Sequence, residues 1–219
     1  MIRYEDLKNN GDINAYIKAQ DESLLALGYT EHSFPHVTKV AQSAAYILKT
    51  LGKDEHTVEL AKISGYLHDI GNLVNRVNHS ESGAIIAFRL LDKLGMPAED
   101  IATVVTAIGN HDEGTGVAVN DVAAALILAD KADVRRSRVR NSDFSTFDIH
   151  DRVNYSVENS ELEIFGSAGV IRLSLTIDTR ISTVMDYFEI FLGRMIMCRK
   201  AALKLGLKFK LIINGQELL

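Results

Sequence analysis

An adjacent histidine and aspartate, His68 and Asp69, are the residues of this sequence best suited to chemistry. Neighbouring side chains on a helix diverge by about 100°, so both reach one point only where the helix ends, and Gly71 supplies an end. Helical spacing puts His68 on the face of Gly65, where another backbone can come close, so His68 is predicted to face inward. An inward imidazole and carboxylate need a partner, which is either each other or a bound cation.

Further imidazoles and carboxylates occupy inward positions on the neighbouring predicted helices, or lie at the mouths of those helices: His36, His79, His111 and Asp130. Asp130 is the most informative, because it stands four residues after Leu126 in an apolar stripe, where an unpaired charge is costly. So many inward polar groups on successive elements predict a common metal ion. Nitrogen and oxygen ligands without sulfur favour Fe, Mn, Zn or Co over calcium or a structural zinc cluster.

Apolar periodicity, capping residues and glycine stops predict the helices that position these groups. The helices are expected at residues 12–28, 33–51, 54–70, 80–95, 97–111 and 119–130. Each of the inward groups then lies on one of these helices or directly beside one.

Beyond these helices the character of the sequence changes. A loop-like stretch at 141–151 precedes segments of alternating, β-branched residues. Strands are expected at 152–157, 161–164, 170–177 and 207–213, and a long helix capped by Asp178 is expected to run to about Leu205. The predicted fold class is mainly α, with a helical domain over 1–140 and a small C-terminal α+β subdomain over 141–219, in which antiparallel strands pack on one long helix.

Composition restricts the class of protein. The chain has 219 residues, of which 47% are hydrophobic, and this suffices for a core. The single cysteine, Cys198, excludes an intrachain disulfide and argues against a thiolate metal cluster. No apolar run approaches the roughly 20 residues of a membrane span, and no signal peptide is recognisable, so we expect a cytoplasmic protein without a membrane partner. A net charge of −5 does not indicate general nucleic-acid binding.

The order of these residues resembles the HD-domain superfamily of metal-dependent phosphohydrolases. Residues 36–41 (HVTKVA) are similar to its first motif, 67–71 (LHDIG) to its second and 128–130 (LAD) to its last. His79 and His111 are similar to the additional histidines of the two-metal members. The resemblance covers roughly residues 30–140. It implies an HD-domain helical bundle, hydrolysis of a phosphoester or phosphoanhydride, and metal ligands at the six positions named above.

The resemblance implies one or two divalent transition-metal ions. We expect one ion to be held by His36, His68, Asp69 and Asp130, and a second by Asp69, His79 and His111. Asp69 is then the bridge between the ions and the residue on which catalysis depends most, because a shared carboxylate would hold both ions at the attacking water.

One position departs from the family pattern. Many members have lysine after the motif His-Asp-x-Gly, whereas this chain has Asn72, so a cationic phosphate contact is absent there. The basic segment after Asp130 offers replacements, and the expected substrate contacts are Lys131, Arg135 and Arg136, with His32 as a further contact or proton donor. Asp112 and Glu113 are expected to orient the ring of His111 without binding the metal ion themselves. His56 and His150 are expected to be ordinary surface histidines.

Two alternatives to an enzyme stay open. The chain could be a non-catalytic metal- or nucleotide-binding sensor or assembly module, which the loss of lysine at Asn72 favours. A purely structural metal would instead predict a closed coordination sphere. For an enzyme, the expected partner is a nucleotide or small phosphorylated metabolite, because all of these fit one metal centre. Homo-oligomers could form through residues 141–219.

Overall fold

The computed structural model describes residues 2–219. Its α-helices are α1 (Tyr4–Lys8), α2 (Gly11–Ala26), α3 (Phe34–Thr50), α4 (Glu55–Leu67), α5 (His79–Lys93), α6 (Ala98–Gly109), α7 (Asp121–Lys131), α8 (Ile149–Ser156) and α9 (Val184–Lys204). Its strands are β1 (Val157–Phe165), β2 (Val170–Ile177), β3 (Lys208–Ile213) and β4 (Gln216–Glu217). The predicted class, a helical bundle followed by a small α+β part, is confirmed.

Helix α7 forms the centre of the bundle. All its residues from Val122 to Ala129 are buried, and it packs against α3, α4, α6 and α9. A helix that is apolar on every side is stable only when other elements surround it. Its last turn carries Asp130, so a carboxylate is delivered into the middle of the bundle.

Close contact between α3 and α4 depends on Gly65. A Cβ atom at this position would lie 2.6 Å from the Cα atom of Ala41, which is closer than carbon atoms approach without displacement. The glycine therefore lets two helix backbones touch, as its spacing predicts. This contact holds His36, on α3, near His68, at the end of α4.

Helix α4 ends earlier than the sequence predicts. It stops at Leu67, and after His68 and Asp69 the chain forms a short 3₁₀ turn from Ile70 to Leu73. A Cβ at Gly71 would overlap the backbone oxygen of His79, so glycine is required for this turn to pack against α5. His68 and Asp69 thus lie at a junction between two helical segments, where neighbouring side chains can converge.

Helix α5 also begins differently from the prediction. Its N-cap is Asn78, with φ of 57°, rather than Ser80. His79 is therefore the first helical residue, and its side chain is buried. The predicted position of this histidine at the mouth of the helix is correct although the predicted cap is wrong.

The C-terminal part confirms three predicted strands and overturns one; the strand predicted at 207–213 is β3, Lys208–Ile213. Residues 157–165 and 170–177 pair as antiparallel strands, and they contain the predicted segments 161–164 and 170–177. The strand predicted at 152–157 is wrong, because residues Ile149–Ser156 form α8. The side chain of Asp148 accepts a hydrogen bond from the backbone N–H of Asp151 and so caps this helix.

Strand order in the sheet is β1-β2-β3-β4, and β2 pairs with β3 in parallel. The sheet is therefore mixed rather than wholly antiparallel, because the connection from β2 to β3 runs through α9 and returns the chain in the same direction. The predicted cap Asp178 is also wrong. Thr183 caps α9 through a capping box with Asp186.

The apolar core is continuous between the two parts of the chain. Buried residues of α7 and α9 belong to one cluster with those of β2 and β3. The division into 1–140 and 141–219 stays a prediction. Over residues 2–219, the structure contains no helix that is both long enough and apolar enough to span a membrane.

Candidate metal centre

Six side chains from five elements converge on one point inside the bundle, and we call them the His/Asp cluster: His36 from the first turn of α3, His68 and Asp69 from the end of α4, His79 from the start of α5, His111 from the end of α6, and Asp130 from the last turn of α7. The four imidazoles are each at most 3% exposed, and Asp69 is 2% exposed. The residues that the sequence singles out as inward polar groups therefore lie together.

Three imidazoles of the cluster are fixed in the same way. In His68, His79 and His111, Nδ1 donates to the backbone carbonyl three residues earlier, at 2.8, 3.1 and 2.6 Å respectively. A carbonyl oxygen only accepts, so the proton of each ring lies on Nδ1. Whenever Nε2 of such a ring is deprotonated, it carries a lone pair that can bind a metal ion.

The fourth imidazole is fixed by a buried carboxylate that the sequence reasoning misses. Nδ1 of His36 lies 2.8 Å from Oδ2 of Asp133, which is 1% exposed. Burial alone would raise the pKa of Asp133, but the hydrogen bond from His36 and the charges of His36 and Arg138 hold it below its ordinary value. The available signal was an acidic residue inside the basic segment 131–140, three residues after Asp130.

The atoms that face one another in the cluster are lone-pair atoms. Nε2 of His36 lies 3.3 Å from Nε2 of His68, and Nε2 of His79 lies 3.2 Å from Nε2 of His111. Two such lone pairs repel unless a proton or a cation lies between them. The cluster therefore requires a positive charge at its centre.

Asp69 connects the two pairs of histidines. Its Oδ2 lies 3.4 Å from Nε2 of His36 and 3.3 Å from Nε2 of His68, and its Oδ1 lies 3.6 Å from Nε2 of His79. Among residues 2–219, buried Oδ2 has no hydrogen-bond partner. On the other side, Oδ1 of Asp130 lies 3.4 Å from Nε2 of His36. An unsatisfied buried carboxylate oxygen beside imidazole lone pairs fits a divalent transition-metal ion.

Two overlapping groups of three side chains could each hold an ion. Ligand atoms of His36, His68 and Asp130 lie within 4.8 Å of one another, and so do those of His68, Asp69 and His111. His68 belongs to both groups. Asp69 belongs to only one of the two groups, and its expected role as the bridge stays a prediction.

The electrostatics of the cluster also favour a cation. Burial disfavours a charged imidazole, yet Asp69 and Asp130 raise the pKa of His68 to about 10. For both of these carboxyl groups burial acts to raise the pKa, but nearby positive charges, from Lys131 for Asp130 and from His68 for Asp69, hold it well below the ordinary value. Burial lowers the pKa of His111, so this imidazole is neutral and free to act as a ligand.

A cavity of about 420 Å³ opens onto the His/Asp cluster. Its wall includes Asp69, His79, His111 and Asp130 together with cationic side chains: Arg76, Lys131, Arg138 and Arg194. Other parts of the wall come from the segment after α2 and from α8. The cluster is therefore accessible from a space that is large enough for a small organic ligand.

Arg76 supplies a cation where the sequence predicts none. The amide of Asn72 donates to Oδ1 of Asp69 at 3.1 Å, and its oxygen accepts from Nη1 of Arg76 at 3.3 Å. The same Nη1 lies 3.3 Å from Nε2 of His79 and 4.0 Å from Oδ1 of Asp69. Asn72 thus holds an arginine against the cluster, and this cation is missing from the predicted set because it comes from the following loop.

Of the three basic residues predicted as substrate contacts, only Lys131 lines the cavity. Its Nζ lies 2.8 Å from Oδ2 of Asp130. Burial alone would lower the pKa of Lys131, but Asp130 and Glu113 raise it, so the group stays charged.

Arg135 and Arg136 are directed elsewhere, and their predicted contact with substrate is contradicted. Arg135 donates to Asp133 and Glu31, at 2.9 and 3.1 Å. Arg136 lies over the ring of Tyr155, with its guanidinium carbon 4.6 Å from the ring centroid. Neither is part of the cavity wall. Both arginines instead connect structural elements around the site.

His32 lines the cavity, and its expected contact with substrate stays a prediction. Its Nδ1 donates to the carbonyl of Thr30 at 2.6 Å, which leaves Nε2 as an acceptor. Burial, followed by the charge of Arg138, holds the pKa of His32 well below its ordinary value. The ring is therefore neutral, so it has no proton to donate at Nε2, which can accept a hydrogen bond instead.

The predicted support of His111 by Asp112 and Glu113 is also corrected, since His111 is held by a backbone carbonyl. Oδ1 of Asp112 lies 4.0 Å from Nε2 of His79, and Glu113 pairs with Lys131 at 3.5 Å. These carboxylates therefore act on other members of the site.

The two histidines expected at the surface differ. His150 is exposed but lines the cavity, so it belongs to the site. His56 lies away from the cavity and contacts Asp100, with 2.8 Å between Nε2 and Oδ1.

The chain is similar to known proteins over its helical part. Residues 34–141 match the family model of the HD domain. The chain is 28% identical over 184 residues to the uncharacterized protein MJ1020 of Methanocaldococcus jannaschii, an alignment that covers 73% of this chain and 70% of that protein. It is also similar to the crystal structure of a predicted HD superfamily hydrolase from an uncultured Thermotogales bacterium, with 25% identity, a TM-score of 0.42, and coverage of 60% of this chain and 73% of the other.

Proposed function

We propose that this chain, whose residues 34–141 match the HD domain, is a metal-dependent phosphohydrolase that cleaves a phosphoester or phosphoanhydride bond of a nucleotide or small phosphorylated metabolite. In this reaction a water oxygen bonds to phosphorus, the bond from phosphorus to the leaving oxygen breaks, and the leaving oxygen gains a proton. The family supplies the reaction class, and the residues of the cavity support the assignment to this chain.

The observation that carries the proposal is the convergence of imidazole Nε2 atoms beside two buried carboxylates, open to a cavity lined with cations. A hydrogen-bonded core would pair these groups with donors, whereas here the donors of the rings are already used on carbonyls or on Asp133. A divalent ion held by the six side chains of the His/Asp cluster would supply a Lewis acid for phosphoryl oxygens and lower the pKa of a water.

Substrate phosphate is expected to bind between Arg76 and Lys131. Both line the cavity, and each is held close to a carboxylate of the cluster, Arg76 by way of Asn72 and Lys131 by Asp130. Fixed cations at the reacting group stabilise the negative charge that develops on the phosphoryl oxygens. Neutral His32 is placed to accept a hydrogen bond at Nε2 from the water or from a substrate hydroxyl.

The sensor alternative loses its main support once Arg76 is considered. That alternative depended on the absence of a lysine at position 72. Arg76, which donates a hydrogen bond to Asn72, provides a positive charge beside the His/Asp cluster instead. A purely structural metal would be enclosed by protein, whereas four of the six cluster residues contribute to the wall of an open cavity. Both features favour an enzyme.

The test combines metal analysis with an activity screen. The purified protein is expected to contain stoichiometric transition metal and, with Mn²⁺ or Fe²⁺, to hydrolyse members of a panel of phosphate esters and nucleotides. Asp69→Ala should lose both properties, whereas Asp143→Asn, an exposed carboxylate outside the cavity, should keep them. If Asp69→Ala retains its metal and its activity, the assignment is wrong. Metal without turnover of any compound would favour the sensor.

A further inference from the structure

Helix α8 contributes a second polar wall to the cavity, and this helix lies outside residues 34–141, which match the HD domain. Asp151 and Asn154 lie three residues apart on α8 and both line the cavity. Residues at this spacing share one face of a helix. Asp151 is 9% exposed and Asn154 is 6% exposed, so their polar atoms have little contact with solvent other than through the cavity.

Both side chains leave an acceptor oxygen unused. Among residues 2–219, the side chain of Asp151 receives one long hydrogen bond, from Asn141 to Oδ2 at 3.4 Å, and Oδ1 has no donor. Asn154 donates its amide to the carbonyl of His150 at 2.9 Å, and its side-chain oxygen has no donor in the described part of the chain. Neither oxygen is among the buried side-chain atoms of residues 2–219 that lack a partner, so both are open to the cavity, where a ligand or water can supply the donors.

Charge is distributed unevenly along the cavity wall. Arginines and a lysine surround the His/Asp cluster, whereas Asp148 and Asp151 lie on the wall formed at α8. No lysine or arginine within residues 2–219 forms an ion pair with either aspartate. A ligand that matches this wall carries its negative charge near the cluster and presents hydrogen-bond donors toward α8.

The space available exceeds what a phosphate group needs. The main cavity measures about 420 Å³, and a second cavity of about 210 Å³ shares Gly28, Tyr29 and Asp151 with it. A volume of this order accommodates a ligand with a sizeable organic part. Asp151 lies where the two cavities adjoin, so a ligand that extends from the cluster toward the second cavity passes this carboxylate.

We propose that Asp151 and Asn154 form a specificity subsite that accepts hydrogen bonds from hydroxyl groups of the alcohol part of the substrate. The substrates are then phosphate esters of polyhydroxylated alcohols, such as sugar phosphates and nucleotides, rather than simple alkyl or aryl phosphates. This inference rests on the proposed phosphohydrolase function, and it assigns substrate selection to a helix outside the HD domain.

The test compares two phosphate esters that differ in the hydrogen-bond donors of their alcohol part. Ribose phosphate carries hydroxyl groups, whereas nitrophenyl phosphate has none on its leaving group. We expect kcat/KM for ribose phosphate, divided by kcat/KM for nitrophenyl phosphate, to fall about 10- to 100-fold in Asp151→Asn and in Asn154→Leu, because each removes an acceptor that only the sugar uses. Asp143→Asn should leave this ratio unchanged, since Asp143 is exposed and lies outside both cavities.

The possible outcomes distinguish a failure of the proposed subsite from a failure of the proposed phosphohydrolase function. If wild type hydrolyses both esters and the ratio is the same in all variants, the subsite is wrong and the phosphohydrolase function stands. Preference for phosphoethanolamine over ribose phosphate would overturn the hydroxyl assignment in favour of an ammonium group. If no ester is hydrolysed, the proposed function fails, and calorimetry with ribose phosphate in EDTA decides the subsite: weaker binding by Asp151→Asn supports it, and equal binding overturns it.

Discussion

The side-chain oxygen of Asn72 accepts a hydrogen bond from Nη1 of Arg76 at 3.3 Å, and this contact holds a guanidinium beside the His/Asp cluster. The guanidinium carbon also lies 5.8 Å from the ring centroid of Tyr29, so Arg76 is held from two sides. A charge that is fixed before substrate binds does not need to reorganise when negative charge develops. Asn72, the residue that departs from the family pattern, therefore positions the cationic side chain of Arg76.

Arg76→Gln should reduce phosphoester hydrolysis by about 100- to 1,000-fold, the usual cost of losing one fixed group that stabilises a developing charge. Metal content should not change, because arginine is not a ligand. Steady-state kinetics and elemental analysis of the same samples check both statements. Arg180→Gln is the matched control, since Arg180 is 87% exposed and is not part of the cavity wall. Loss of metal from the Arg76 variant would contradict its assignment as a phosphate contact.

Asp133→Asn should weaken metal binding by about 10- to 100-fold, because Asp133 fixes the ring of His36 through Nδ1. The substitution also removes the buried negative charge that pairs with Lys39 and Arg135, of which Arg135 keeps only Glu31, so the free energy of unfolding should fall by about 3 kcal/mol or more. Titration calorimetry with Mn²⁺ and chemical denaturation measure the two effects. Unchanged Mn²⁺ affinity in a folded Asp133→Asn protein would show that His36 does not depend on this carboxylate.

Gly65→Ala should destabilise the protein by about 1–3 kcal/mol, because the added Cβ would lie 2.6 Å from the Cα atom of Ala41 and push α3 from α4. Gly193→Ala on α9 makes the same chemical change where no atom lies within 4 Å of the added Cβ. This control should instead gain about 0.5–1 kcal/mol from the higher helix propensity of alanine. Denaturant titrations of the two variants should therefore shift in opposite directions, and equal shifts would refute the close contact.

Cys198 should be unreactive toward thiol reagents near neutral pH while the protein is folded, and reactive once it is unfolded. The residue is 1% exposed, and burial raises the pKa of its thiol from 9.0 to about 12. Between these values the unfolded thiol loses its proton while the folded thiol keeps it, so the free energy of unfolding falls as pH rises from 9 towards 12. Below pH 9 this contribution is fully present.

Denaturation at a series of alkaline pH values checks this linkage, and Cys198→Ala should show a shallower decline than wild type. Rapid labelling of the folded protein at pH 8 would indicate an exposed thiolate and contradict the burial of Cys198 in α9.

The spacing of apolar residues within each helix was sufficient to find the cluster residues. This spacing shows which face of a helix is buried, and each cluster residue lies on the buried face of its own helix or directly beside that helix. His111 follows the apolar stripe of α6, and Asp130 continues that of α7, so their common inward orientation is readable without a structure. The strand predicted at 152–157 failed for the opposite reason. The alternation of apolar and polar residues in this segment favoured a strand, but the Asp148 cap and the packing of α8 stabilise a helix. The pair Asp148 and Asp151 was a capping signal that could have indicated this helix.

The sequence by itself determined the helical class, the resemblance of residues 34–141 to the HD domain and the set of inward imidazoles and carboxylates. Only the tertiary structure decided how those groups are held and what lies beside them. The pairing of His36 with Asp133 joins residues 97 positions apart, and the cavity combines α8 with the end of α7. Contacts between distant segments depend on how whole helices pack, which no local pattern encodes. The phosphate contact also depends on such packing. The sequence predicted Arg135 and Arg136 for this role, whereas the structure places Arg76 beside Asp69.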